Sequence, residues 1–275
     1  MKELISFDWC GKMAHFRKFY SNASALTHTI PPRTTVLGLL ASIAEIERDS
    51  YYFGNKNEVF NNLKIGIQIL NPVRKINQKF NYLRVVKDGA SEESLATDFN
   101  DLYIFRGYSN RKQVSTELIV PHSIRDKDAL VKYRIFVGFP DSDEPIFARL
   151  KTNLTREYYP FGICLGAANM LGFIAQPNGI EPIDFRVGVH TSNFVEVIGA
   201  IDEDLVSEID RDYNFSIEHD LFPTSFSLNK ELKGRIANET RVLLYSSDES
   251  PLRLKLHPSE SVLFLPKQQQ YVYLL

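Results

Sequence analysis

The apolar patterning of the chain predicts an α+β fold in two parts, a sheet carrying two helices to about residue 175 and a smaller β-rich unit over 176–275. Three observations lead there. Alternating and helical patterns succeed one another as β-α-β-β-α-β up to Gln176. After Gln176 the apolar segments are short and strand-like. Between two of the earlier strands, residues 74–116 break the pattern with a long polar stretch.

The elements follow in order. "ELISFDW" reads as the first strand, ending at Gly11, and Lys12 to Ile30 has no clean period and reads as an ordered loop. Pro32 to Arg48 reads as a helix, because Val36, Leu39, Leu40 and Ile43 recur at helical spacing and proline is tolerated in a first turn. "LKIGIQIL" alternates, with Ile65, Ile67 and Ile69 on one face. "QVSTELIVP" and "KYRIFVGF" read as further strands. "PIFARLKTNL" reads as a second helix with Ile146, Leu150 and Leu154 along one side, and a strand follows near "LGFIA". This order matches a ferredoxin-like split βαβ plan over residues 1–175. The tail, 176–275, contributes "DFRVGVH", "FVEVIGAI", "RVLLYS" and "SVLFL".

The interruption at 74–116 is polar, mixed in charge and dotted with aromatics. Its basic ends, Arg74, Lys75 and Lys79 against Arg106, Arg111 and Lys112, suggest a projecting hairpin.

Composition excludes several classes. Hydrophobic residues make up 44 % and charged residues 24 %, ordinary values for a globular domain. A net charge of −2 gives no global attraction for nucleic acid or an anionic membrane, so a polyanion would need a local patch. Cys10 and Cys164 have no neighbours at metal-ligand spacing and read as buried thiols. No signal peptide or long apolar run is visible, so a cytoplasmic location is expected, with no membrane contact.

The local patch lies in the stretch from Trp9 to Ala44. It holds Lys12, His15, Arg17, Lys18, His28 and Arg33 without a single Asp or Glu. A helix N-terminus favours an anion through its free N–H groups and dipole, and Arg33, Thr34 and Thr35 stand beside it. Phe16, Phe19 and Tyr20 interleave with the cations, and unpaired bases stack on such rings. Two readings stay open on these residues: contact with RNA or phosphate, and a basic loop with core aromatics.

Other signatures are weaker. "YYPFGICLGAANMLG" (158–172) lacks the endings of a phosphate loop and the spacing of a dinucleotide fingerprint. Its glycines imply close approach to a ligand or to a neighbouring strand. Asp141 and Asp143 read as an exposed turn rather than a metal site. Metal-independent RNA cleavage would need a base, an acid and a cation around one phosphate. His15, Tyr20, Tyr51, Lys75 and His122 are candidates, but no spacing unites them.

Taken together, "GKMAHFRKFYSNASALTHTIPPRTTVLGLLASIAEIERDSY" (11–51) resembles the N-terminal signature of the CRISPR-associated Cas-five family, the foot subunits of type I Cascade complexes, and most resembles type I-B members. "RKQVSTELIVP…VKYRIFVGF" and "YPFGICLGAANMLGFI" are fainter echoes. The resemblance implies an RRM-like, ferredoxin-like domain with a thumb hairpin (here 74–116) and a small C-terminal β domain. It also implies the 5′ handle of crRNA as ligand, and the backbone and large subunits as partners, with target DNA met only through the complex. Carried over by motif, Lys12, His15, Arg17, Lys18, Arg33 and Thr34 would face the handle. Tyr20, Lys75, Arg111 and Lys112 complete the expected RNA-binding set. One branch of the family cuts precursor RNA with a Tyr, Lys and His set whose last two are adjacent. This sequence has no Lys-His pair, so a binding subunit without cofactor, metal or catalytic residue is expected, with endoribonuclease as the alternative.

Overall fold

The computed structural model describes residues 1–21, 24–52, 54–83, 111–123, 125–126, 128–140, 144–177, 179–189, 193–213, 216–229 and 234–275. It is a mixed α+β structure, mostly strands, with two α-helices among the described residues. The central sheet is antiparallel and four-stranded. It is built from β1 (Glu3–Gly11), β4 (Lys64–Ile69), β7 (Val131–Phe139) and β8 (Gly172–Ala175), in the order β4-β7-β1-β8. Helix α1 (Arg33–Ile43) falls between the first two in sequence, and α2 (Pro145–Thr155) between the last two.

Register explains the two faces. Ile5, Phe7 and Trp9 stand opposite Val137, Ile135 and Tyr133, and with Ile65, Ile67 and Ile69 they form the face packed with Val36, Leu40, Ile43, Leu150 and Leu154 from the helices. Leu4 and Phe136 point the other way, into a smaller cluster with Leu263, Leu265, Val272 and Leu274. The C-terminal half thus covers the second face of the sheet. A side chain at Gly66 would strike Leu274 and the Tyr273 carbonyl, so that position needs a glycine for the cover to sit close.

Helix α1 ends at Ile43, earlier than the expected Arg48. Glu45 adopts a left-handed φ of 56°, the Ile46 N–H reaches the Ala41 carbonyl, and the Glu45 N–H reaches that of Ser42. These two bonds are those of a Schellman stop, here built without the usual glycine. Helix α2 opens with Pro145 in its first turn and ends the same way, on Glu157 with φ 53°. Its buried side is Phe147, Leu150 and Leu154, with Ile146 only partly covered. Asn153 donates to the Ile43 carbonyl at 2.7 Å and ties the two helix ends together.

The stretch expected to be a loop, Lys12 to Ile30, contains a short ladder, β2 (Phe16–Arg17) with β3 (Thr27–His28). This short ribbon lies along a separate two-stranded sheet made of β5 (Val73–Leu83) and β6 (Arg111–Pro121), paired in register from Val73↔Pro121 to Leu83↔Arg111. The expected hairpin therefore begins and ends as paired strands, while its middle, 84–110, and the turn with Asp141 and Asp143 lie outside the described residues.

The tail contains β9 (Arg186–Val187), β10 (Val195–Ile198), β11 (Ile201–Asp202), β12 (Val206–Ile209), β15 (Leu252–Leu256), β16 (Val262–Leu265) and β17 (Gln270–Tyr273). All but β11 form a six-stranded sheet. Strand β11 joins a long hairpin, β13 (Ile217–Asn229) with β14 (Gly234–Ser246), that packs against α1. No helix among the described residues is long and apolar enough to cross a membrane.

Candidate nucleic-acid interface

An open groove of about 1670 Å³ runs over one face of α1. Thr35, Gly38, Leu39 and Ser42 recur at helical spacing and form its floor, with Pro32 and Thr34 at the helix start. The ribbon segment His15–Phe19 forms one side. The glycine-rich loop contributes Phe161, Cys164 and Gly166, and the long hairpin adds Phe226, Leu228 and Arg235. Arg48, Asp49, Tyr51 and Tyr52 close one end. Cys164 is thus half-buried at the groove, not sealed like Cys10.

The first turn of α1 contains no acid and no capping side chain; the Thr35 and Val36 N–H groups bond to the Pro32 carbonyl, and those of Arg33 and Thr34 are left for solvent or a ligand. Trp9, only 1 % exposed, lies in the groove lining, but its indole N–H is sealed from it and has no hydrogen-bond partner among the described residues. Phe161 is 62 % exposed and Phe19 38 %. Donors and free aromatic faces therefore share one cleft, a combination suited to phosphates and unpaired bases.

The ribbon holds its place through acids far away in sequence. Asp220, on β13, accepts from Lys18 Nζ at 2.6 Å, His28 Nδ1 at 2.9 Å and the Tyr20 hydroxyl at 3.0 Å. Burial opposes ionisation of Asp220, but the bonds from His28 and Lys18 outweigh it and hold the carboxyl well below its usual range. Burial likewise opposes the Lys18 charge, and Asp220 more than restores it. His28 lies flat against Phe222 at 4.5 Å, and burial keeps it below the usual histidine value, so it donates to Asp220 as a neutral ring. Lys18, which lines the groove, and Tyr20, which stands outside the lining, are therefore already committed to a carboxylate.

His15 and Arg17 differ from them. Arg17 is exposed, donates only to the Ser21 carbonyl at 3.2 Å, and has no ion pair among the described residues. His15 is 8 % exposed and its Nδ1 donates to the Glu117 carbonyl at 2.7 Å. Burial lowers its pKa, the bond to Glu117 partly opposes that, and Arg17 adds to the lowering. Its backbone pairs with the glycine-rich loop at Gly166, where φ is 89° and a β-carbon would collide with the His15 carbonyl. The glycines of that loop serve approach to neighbouring strands: Gly172 meets the Cys10 carbonyl in the same manner.

Arg33 does not face the groove. Its guanidinium turns inward and donates to the carbonyls of Asn61 (2.5 Å), Leu63 (2.9 Å) and Thr224 (2.9 Å), and to that of Leu275 (3.3 Å). Burial lowers its pKa to about 10. This corrects the expectation that Arg33 meets a ligand: its rigid fork of donors is taken up by carbonyls from separate segments of the chain. Thr34, its neighbour, is buried but reaches the groove lining.

The remaining expected residues scatter. Lys12 reaches the Ala129 carbonyl at 3.4 Å, outside the groove lining. Lys75 is exposed on β5, opposite Ile119. Arg111 and Lys112 open β6, a short way before Val114, which lines the groove. Of the cleavage candidates, only His15 and Tyr51 reach the lining, while Tyr20 is bound to Asp220. Groups of three or more potential metal ligands are absent among the described residues. Sequence reading missed Arg48, Asp49, Tyr52 and Arg235, which meet only through folding: Arg235 pairs with Asp49 at 2.7 Å and lies 5.7 Å over the Tyr52 ring.

No curated protein matches the chain. Among solved structures, the chain is similar to one described as "CRISPR RNA-guided surveillance complex" (12 % identity, 90 % of this chain and 91 % of that one covered, TM-score 0.49). It is also similar to one described as "Crystal structure of Cas protein" (10 % identity, 90 % and 95 % covered, TM-score 0.44). A third is described as "Cryo-EM structure of the Type III-B Cmr-beta bound to cognate target RNA and AMPPnP, state 1" (9 % identity, 90 % and 86 % covered, TM-score 0.43). Residues 4–113, less than half of the chain but including the ribbon and α1 that shape the groove, match the family model described as CRISPR-associated protein (Cas_Cas5).

Proposed function

We propose that this chain is a non-catalytic RNA-binding subunit of a type I CRISPR surveillance complex, most like type I-B, that holds the 5′ handle of crRNA in the groove over α1. The observation that carries the reading is the unpaired Arg17 beside an uncapped helix start, in a cleft with the exposed rings of Phe19 and Phe161. The match over residues 4–113 supports the family assignment. The β-α-β-β-α-β order supports reading the first 175 residues as a ferredoxin-like domain with a thumb at 74–116, followed by a β-rich domain over 176–275. In this reading the subunit caps the backbone filament, touches the large subunit, works in the cytoplasm and meets target DNA only through the complex.

The test is binding of a repeat-derived handle RNA, followed by fluorescence anisotropy at two salt concentrations. Arg17→Glu weakens binding about tenfold and reduces the salt slope by about one, the signature of a lost phosphate contact. Unchanged affinity would sink the reading. The alternative, metal-independent cleavage, is favoured only by the neutral His15 ring in the groove. A discrete cut in EDTA leaving a 2′,3′-cyclic phosphate would establish it in place of the first reading.

A further inference from the structure

His15 carries chemistry that phosphate binding does not use. A carbonyl oxygen can only accept, so the short bond to Glu117 fixes the proton on Nδ1. With the ring neutral, as its burial dictates, Nε2 is a bare acceptor. That atom has no hydrogen-bond partner among the described residues, yet it is not sealed, unlike Nε2 of His28. His15 and Arg17 flank the buried Phe16 on an extended segment and so project to one side, about 7 Å apart. Around them the groove offers donors: Arg17 and the hydroxyls of Thr34 and Thr35. Its carboxylate, Asp49, is held by Arg235 and Arg48.

Resting on the RNA-binding reading above, we propose that His15 Nε2 accepts a hydrogen bond from a ribose 2′-hydroxyl and is the group by which the groove prefers RNA to DNA. A phosphate offers only acceptors and cannot satisfy a bare ring nitrogen. A nucleotide whose phosphate lies on Arg17 carries its sugar toward the same side of the strand, and the 2′-hydroxyl is the one donor on that backbone. DNA keeps the phosphate and loses the donor.

The test compares the full chain binding an unstructured twelve-nucleotide RNA with the DNA of the same sequence. Wild type prefers RNA by about fivefold to tenfold, the worth of one hydrogen bond. His15→Asn keeps a donor for the Glu117 carbonyl but lacks the outer acceptor, and brings the ratio close to one by weakening RNA alone. His15→Gln places an oxygen near the lost nitrogen and restores part of the preference. A scan of single 2′-deoxy substitutions on wild type, which needs no variant to fold, finds one position that reproduces the loss, and His15→Asn is blind to it. An equal fall for RNA and DNA in His15→Asn, or a flat deoxy scan, would overturn the proposal while leaving RNA binding intact. Absence of salt-sensitive binding to either strand would remove the binding reading and this inference together.

Discussion

Arg17 and Arg33 belong to the same acid-free stretch, yet they end in opposite surroundings. Arg17 sits on a two-residue strand whose outward side meets solvent, and it keeps its charge unpaired. Arg33 opens α1 on the side facing the C-terminal hairpin, and it is consumed by carbonyls from three distant segments. Between them, Lys18 is neutralised by an acid on β13. A run without acids is a statement about local sequence only. Its surface potential depends on carboxylates and carbonyls that tertiary contacts bring in, and here those contacts leave one ribbon arginine free.

The sharpest way to break this contrast is to remove each arginine and read stability and binding separately. Arg33→Met strands several buried carbonyls, each worth about 1–3 kcal/mol when left unsatisfied, against the desolvation it relieves. The expected net loss is about 3 kcal/mol of unfolding free energy in urea, with RNA affinity of the folded protein unchanged. Lost affinity at full stability would mean that Arg33 meets the ligand after all.

Acidification probes the ribbon's anchoring with a smaller effect. His15 and His28 both have folded pKa values below the usual 6.5 because of burial. The unfolded chain therefore takes up protons near 6.5 while the folded chain does not, and stability falls as pH drops below that value. Stability is therefore expected to fall between pH 7.5 and 5.5, each ring contributing no more than about 1.4 kcal/mol per pH unit. His28→Gln should flatten the profile. The short His28–Asp220 contact argues for a charged pair instead, in which case stability would rise on acidification; the completeness of burial and the nearby Lys18 charge favour the neutral ring. Asp220 acts lower: its contribution is present above about 4 and is lost below, as the carboxyl protonates.

Much of the central sheet was legible because its strands alternate and its helices carry stripes, and both signals are local. Ile65, Ile67 and Ile69 share a face as their spacing requires, and Leu150 and Leu154 bury together. The end of α1 was not legible, since Glu45 takes a left-handed conformation normally marked by glycine. Neither was the long hairpin: "RVLLYS" is only the apolar end of β14, whose other half, with Arg235 and Asn238, is polar and exposed. For the groove, the residues on the ribbon and the start of α1 could be found from charge and hydroxyls. The Arg235–Asp49–Tyr52 corner could not, because its members lie far apart in sequence and none carries a motif. Nothing local to Lys18 or Tyr20 reveals Asp220 either.

Tyr20 gives the smallest test and separates two roles of one side chain. Its hydroxyl bonds to Asp220 at 3.0 Å, while its ring is 47 % exposed and lies 5.1 Å from Phe19. An exposed hydrogen bond exchanges readily with water, so Tyr20→Phe should cost no more than about 0.5 kcal/mol and leave RNA affinity unchanged. Tyr20→Ala removes the stacking face and should weaken RNA binding by about fivefold or more, at similar stability. If both variants bind as wild type does, the ring is no stacking platform, and the Tyr20 hydroxyl serves only to hold the ribbon to the hairpin. If Tyr20→Phe weakens binding as well as Tyr20→Ala, the phenol meets the ligand, and Asp220 is its orienting partner and not its competitor.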